Sequence, residues 1–188
     1  MSFKVLVIPE DPTQNGYILK PLVQAILADA GKPAARVVVL PNPRLRGYDH
    51  ALRAIREELP DSYSFWDLWI FIPDADRATA LAMKQLEGDS ERRGIRLLCC
   101  PAEPEVEIYA CAAYQSEIQA DWSGVRRNSR FKEDVFAKLL RSHGDDRRPG
   151  RGRDLMIAES LKNLPRLFKL CPELKDLRDR VEKIVHAG

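Results

Sequence analysis

The sequence predicts an α/β fold, a mostly parallel sheet flanked by helices and followed by a helical, basic C-terminal extension. Three observations predict it. Short, continuous, β-branched runs recur through the first hundred residues; segments of helical period separate them; and past residue 120 only helical segments remain. Continuous apolar runs, rather than alternating ones, mark strands buried on both faces, as parallel strands are.

The first such run is "FKVLVI" (3–8), closed by Pro9 and Pro12. From Asn15 to Ala30, Ile18, Leu22 and Ile26 share a helical face, and Pro21 predicts that the regular helix begins near it. "RVVVL" (36–40) reads as the second strand and "YDHALRAIREEL" (48–59) as a helix with Leu52, Ile55 and Leu59 inward. "FWDLWIFI" (65–72) is the third strand, 78–88 the next helix, and "GIRLLCC" (94–100) the fourth strand. Pro104 opens a predicted helix over 104–118. Helices then follow over 131–144, 154–164 and 173–185, separated by the irregular "QADWSGVRRNSR" and the loop "DDRRPGRGR". The expected division is an α/β domain over 1–120 and a helical basic extension over 121–188.

At 188 residues, with 45% hydrophobic and 31% charged residues, the chain has the composition of one globular domain with a small appendage and not of a disordered or fibrous protein. No run approaches the roughly 18 apolar residues that span a bilayer, and "MSFKVLVIPEDPTQ" lacks the pattern of a secretory signal, so a cytoplasmic protein with no membrane partner is expected. Cys99, Cys100, Cys111 and Cys171 form no CxxC pair and His50, His143 and His186 are scattered, which argues for plain thiols rather than zinc ligands or disulfides. Residues 1–120 hold 13 Lys+Arg against 17 Asp+Glu (−4) and residues 121–188 hold 17 against 11 (+6). That asymmetry fits either a solubility balance or a basic region that holds phosphates near an acidic site.

In an open parallel sheet the carboxyl ends of the strands line the ligand crevice. The first run ends in "PED" and the third in "PDAD". If those strands are neighbours, Glu10, Asp74 and Asp76 converge, and three carboxylates at one spot call for a cation such as Mg²⁺ or Mn²⁺. The plainer alternative makes Asp76 the N-cap of a helix beginning near Arg77. Glu103, Glu105 and Glu107 form a second acidic stretch, read either as acids favoured in a first helical turn or as the source of a fourth site carboxylate. In the loop, Arg147, Arg148, Arg151 and Arg153 offer planar forks for phosphate, with Arg141 and, further upstream, Arg126, Arg127 and Arg130 nearby; a solvated loop without ligand is the alternative.

Taken in order, Glu10 in "VLVIPED", Asp74 and Asp76 in "IFIPDAD" and Glu107 in "VEIYACAA" resemble the motifs of a Toprim domain. The likeness is to the small Toprim and OLD-like proteins of bacterial defence loci, whose last motif reads like "EaWlLaD", and it covers residues 3–118. Three positions depart from that pattern: Asp11 stands where many Toprim proteins have glycine, Tyr109 where the tryptophan falls, and Ala113 where the final aspartate falls. The resemblance implies a Rossmann-like sheet and a Mg²⁺-dependent nuclease acting on DNA or RNA. In it Glu10, Asp74 and Asp76 hold the metal, Glu10 also moves protons, and Glu107 is an auxiliary ligand. It further implies nucleic acid as partner and an ATPase or other defence-system protein as a second one. The rival expectation is a catalytically silent Toprim-like subunit that binds a partner protein or nucleic acid without cutting it.

Overall fold

A computed structural model describes residues 2–187. Its sheet has four strands, β1 (Lys4–Pro9), β2 (Arg36–Val39), β3 (Leu68–Ile72) and β4 (Leu97–Cys99), in the order β2-β1-β3-β4 with every pair parallel. The chain adds β2 to one side of β1 and then β3 to the other, so strand order reverses between β1 and β3. That reversal opens a crevice at their carboxyl ends, the place where such sheets bind ligands. Pro9 is in register with Ile72, so Glu10 and Asp74 leave the sheet side by side.

Alternate side chains of each strand feed two cores. Leu6, Ile8, Trp69 and Phe71 pack against α2 (Tyr48–Arg53), α3 (Leu59–Tyr63) and α4 (Ala80–Glu91). Val5, Val7, Leu68, Ile70 and Ile72 face α1 (Gly16–Asp29) and the C-terminal helices. Those are α5 (Ile108–Cys111), α6 (Trp122–Arg126), α7 (Ala137–His143), α8 (Arg153–Leu161), α9 (Leu164–Leu170) and α10 (Pro172–His186). Met156, Ile157, Leu174, Leu177 and Val181 of this group are fully buried in the same core as β1 and β3. Residues 121–188 thus cover one face of the sheet.

Prolines bear on two of the departures from the expected helix spans. α1 starts at Gly16, five residues before Pro21, because Pro21 forfeits only the bond that its missing N–H would make to the Tyr17 carbonyl in the exposed first turn. The helix expected over 48–59 is instead α2, a π-helical turn over Ala54–Glu58, and α3. Pro60 cannot bond back to the Arg56 carbonyl, and the Arg93 guanidinium donates to that carbonyl instead. The helix expected over 104–118 is only the four-residue α5 continued by a 3₁₀ segment, Ala112–Glu117. Neither α9 nor α6, which lies in the stretch expected to be irregular, was expected; Asn163 caps α9 by accepting from the Arg166 N–H at 3.0 Å, and Asp121 caps α6 by accepting from the Gly124 N–H at 3.2 Å.

All four cysteines are buried and unbonded. Among the described residues no helix is long and apolar enough to cross a membrane.

Candidate functional site

The ends of β1 and β3 are locked together by one hydrogen bond: the Asp74 backbone N–H donates to Glu10 Oε1 at 3.1 Å. Asp74 is fixed from its other side, where its Oδ1 accepts from the Val106 N–H at 3.0 Å. The chain beyond it is held against the loop after β4, because Asp74 bridges Ala102 and the Ala75 N–H donates to the Ala102 and Pro104 carbonyls. Asp76 then stands exposed on the turn over residues 75–77. It does not cap the next helix. α4 begins at Ala80 and Thr79 is its N-cap, accepting from the Ala82 N–H at 3.2 Å, since the pairing of residues 74 and 75 with 102–104 delays the start of the helix.

Among the described residues, Glu10, Asp74 and Asp76 take part in no ion pair, although Arg77, the cation next to them in sequence, is engaged bidentately by Asp49 at 2.9 Å. The electrostatic consequence is large. The Glu10 carboxyl is raised to about 7, chiefly by burial and then by Asp74 and Asp76, against the lowering by the Asp74 N–H and Arg77. Asp74 is raised to about 6, first by burial, with the Val106 N–H and Lys132 lowering it and Glu107 and Glu105 raising it.

The second acidic stretch has the opposite character. Glu107 is 1% exposed, yet its Oε1 lies 3.7 Å from Arg153 and its Oε2 3.7 Å from Lys132. Glu105 meets Lys132 at 2.9 Å and Glu103 meets Arg126 at 2.7 Å. Burial still raises the Glu107 carboxyl, opposed mainly by Lys132. For Lys132 the order reverses: burial lowers its ammonium, but Glu107, Glu105 and Asp74 together outweigh that and raise it. Glu105 and Glu107 both reach Lys132 because the helix begins only at Ile108, so neither is bound to helical spacing.

The four loop arginines split as well. Arg153 is 8% exposed, its guanidinium 4.9 Å over the Phe136 ring and donating to the Gly150 carbonyl at 3.2 Å; it lies inside the fold rather than on a phosphate-facing surface. Arg147, Arg148 and Arg151 stay exposed but pair within their own segment, with Asp145 at 3.2 Å, Asp154 at 2.6 Å and Asp146 at 2.7 Å. Upstream, Arg126 joins α6 to α10 through a two-bonded contact with Glu173 at 3.1 and 2.9 Å.

The sequence reading missed Arg44 and Arg46, which follow β2 and border Glu10. A cleft of about 380 Å³ is lined by Glu10, Asp11, Thr13, Arg44, Arg46 and Gly47. The available signal was positional: "PRLRG" occupies a strand-end loop on the same edge of the sheet as "PED" and "PDAD".

Glu10, Asp74 and Asp76 carry the hard oxygen donors that a divalent cation takes, and among the described residues none of the three is in an ion pair. As the side chains stand, no group of three or more His, Cys, Asp or Glu is gathered to hold a metal ion among the described residues. Glu10 and Asp74 are joined through the main chain, while Asp76 is held apart on its turn. No protein-family model, curated protein or solved structure matches the chain, so the Toprim resemblance rests on the quoted residues.

Proposed function

We propose that this protein is a divalent-cation-dependent phosphodiesterase acting on nucleic acid, with Glu10, Asp74 and Asp76 as its metal-holding carboxylates and Glu107 in a supporting position. One observation carries the reading: at the point where strand order reverses, Glu10 and Asp74 meet without an ion-pair partner among the described residues, burial raises both carboxyls, and Asp74 and Asp76 raise Glu10 further. A folded protein tolerates such unmet charge where a ligand supplies the countercharge, and functional sites are where it collects. Bound there, Mg²⁺ or Mn²⁺ supplies Lewis-acid stabilisation of charge growing on the phosphate oxygens.

The chain's own groups do the rest. Val106 N–H fixes Asp74 so that its Oδ2 is left for a ligand, and Asp74 N–H orients Glu10 in the same way. Oriented by the Asp74 N–H, Glu10 is placed to accept a proton from an attacking water and return it to the leaving oxygen. Glu107 acts indirectly, holding Lys132 within reach of Asp74. Asp76 completes the ligand set by movement of the exposed 75–77 turn. Resemblance to defence-locus proteins supports an ATPase or similar partner that directs this activity.

A second reading has its own observation. Lys132 already places a cation beside Asp74, Glu105 and Glu107, which fits a Toprim-like subunit that binds without cutting. Two measurements on the wild type and on Asp74→Ala/Asp76→Ala decide between them: cleavage of single- and double-stranded DNA and of RNA in Mg²⁺ or Mn²⁺, and calorimetric titration with Mn²⁺ alone. Cleavage and Mn²⁺ binding that both vanish in the variant are expected. Cleavage that survives in it removes these carboxylates from the mechanism, and nucleic-acid binding with neither cleavage nor Mn²⁺ uptake in the wild type establishes the silent subunit.

A further inference from the structure

We infer that the substrate is held by the loop after β2 rather than by the arginine loop at 147–153, and that the ligand class is single-stranded nucleic acid. The inference rests on the phosphodiesterase reading for its connection to cleavage, but the binding it describes needs no metal.

Two clefts meet beside Glu10 and its neighbour Asp11. The one that includes Glu10 is continuous, through Thr13 and Arg44, with a second of about 550 Å³ that runs past Gly16, Tyr17, Lys20 and Pro41. Lys20, Arg44 and Arg46 are exposed and, among the described residues, none of them pairs with a carboxylate. That contrasts with Arg147, Arg148 and Arg151, each of which is already neutralised by an aspartate. An unpaired cation gains more from a phosphate than one that must first release a carboxylate.

The arginine pair is also built in place. Leu45, between the two arginines, is 4% exposed and belongs to the same core as Ile8 and Phe71, while its neighbours Arg44 and Arg46 are on the surface. Arg44 donates to Thr13 Oγ1 at 3.0 Å, and the Gly47 N–H donates to the Glu10 carbonyl at 3.2 Å, so this loop is tied directly to the segment that carries Glu10.

Tyr17 supplies the reason for a single strand. Its ring is 37% exposed and lines the larger cleft, and Gly150 approaches it so closely that a Cβ there would fall 2.4 Å from the ring. Gly150 thereby packs against an aromatic platform. A platform that shares its cleft with Lys20 and Arg44, and adjoins the one lined by Arg46, suits an unstacked base with its phosphates alongside, whereas a duplex keeps its bases inside the stack.

The test is fluorescence anisotropy with labelled 12-nucleotide single-stranded DNA and RNA and a 12-base-pair duplex, in EDTA so that cleavage and metal uptake play no part. For the wild type a salt dependence with a log–log slope of about −2 is expected from three phosphate contacts at roughly 0.7 each. Arg44→Ala/Arg46→Ala should weaken binding about 10-fold or more and flatten the slope by about 1.4. Tyr17→Ala should weaken it about 10-fold with the slope unchanged. Arg147→Ala/Arg148→Ala/Arg151→Ala should bind as the wild type does. Loss of binding in that triple variant with retention in Arg44→Ala/Arg46→Ala overturns the inference, as does duplex binding equal to single-strand binding or no binding to either at low salt. Binding as expected without cleavage in Mg²⁺ would leave this inference standing and remove the hydrolytic reading.

Discussion

Two acidic regions of this molecule, each contributing three carboxylates, differ in ion pairing. Glu103, Glu105 and Glu107 are met by Arg126, Lys132 and Arg153, all delivered by the C-terminal helices. Glu10, Asp74 and Asp76 form no ion pair among the described residues, and Lys132 acts on Asp74 only as a nearby charge. The carboxylates are chemically alike, so the difference lies in which cations the fold brings to them. It also accounts for the charge asymmetry along the chain: basic residues past 120 pair with acids before it, further examples being Arg178 with Asp29 at 2.7 Å and Arg180 with Glu87 at 2.8 Å. Part of the basic third therefore neutralises the acidic body, and Glu10 and Asp74 at the strand ends are the unpaired carboxylates that the fold also buries in part.

The largest effect expected from breaking this contrast is catalytic. Asp74→Ala/Asp76→Ala should lower Mg²⁺-dependent cleavage by about 10³-fold, about 4 kcal/mol of transition-state stabilisation, measured as initial rates on labelled substrate. Next comes stability on the paired side. Arg153→Ala leaves the buried Glu107 with a missing partner and should cost about 3–5 kcal/mol in urea unfolding. Adding Glu107→Ala should restore part of that loss; a surface phosphate-binding arginine would show neither effect.

A smaller effect, of opposite sign, belongs to the unpaired side. Because the folded Glu10 carboxyl lies at about 7 against an ordinary 4.5, the folded state holds an extra proton between those values. The associated stability is fully present below pH 4.5 and is lost as pH rises through 7. Glu10→Gln keeps the Oε1 acceptor and cannot ionise, so at pH 8 it should stabilise the metal-free protein by about 1–2 kcal/mol, discounted for partial solvent screening, with no gain at pH 4. Thermal melts across pH 4–8 check the sign, and a destabilised variant at pH 8 would show that Glu10 is already neutralised. The smallest effect is expected at the loop: Arg147→Ala/Arg148→Ala/Arg151→Ala removes only exposed local pairs and should leave the melting temperature unchanged.

Strand identity was legible because β1 and β3 are almost entirely apolar over lengths that match strands, and β1 and β3 proved to be neighbours, as the strand-end carboxylates required. Helix boundaries were less legible. At Pro21 and Pro60 the same residue either opens or interrupts a helix depending on whether the lost hydrogen bond can be spared or replaced, as Arg93 replaces it at Arg56. Within the candidate site, Glu10 and Asp74 were legible from strand ends. The capping alternative for Asp76 failed because a contact 28 residues away, between Asp74 and Ala102, sets where α4 begins.

Periodicity and strand-end position, both properties of short windows, are enough to determine the parallel sheet and the presence of acids on its carboxyl edge. Charge pairing is not a property of such windows. Arg153 and Arg147 stand in one loop sequence, yet one is buried against Glu107 and Phe136 while the other is exposed beside Asp145. Coulombic interaction depends on distance and burial, and both are fixed only when the C-terminal helices pack across the sheet, so the tertiary structure alone decided which carboxylates were neutralised and which were left to act.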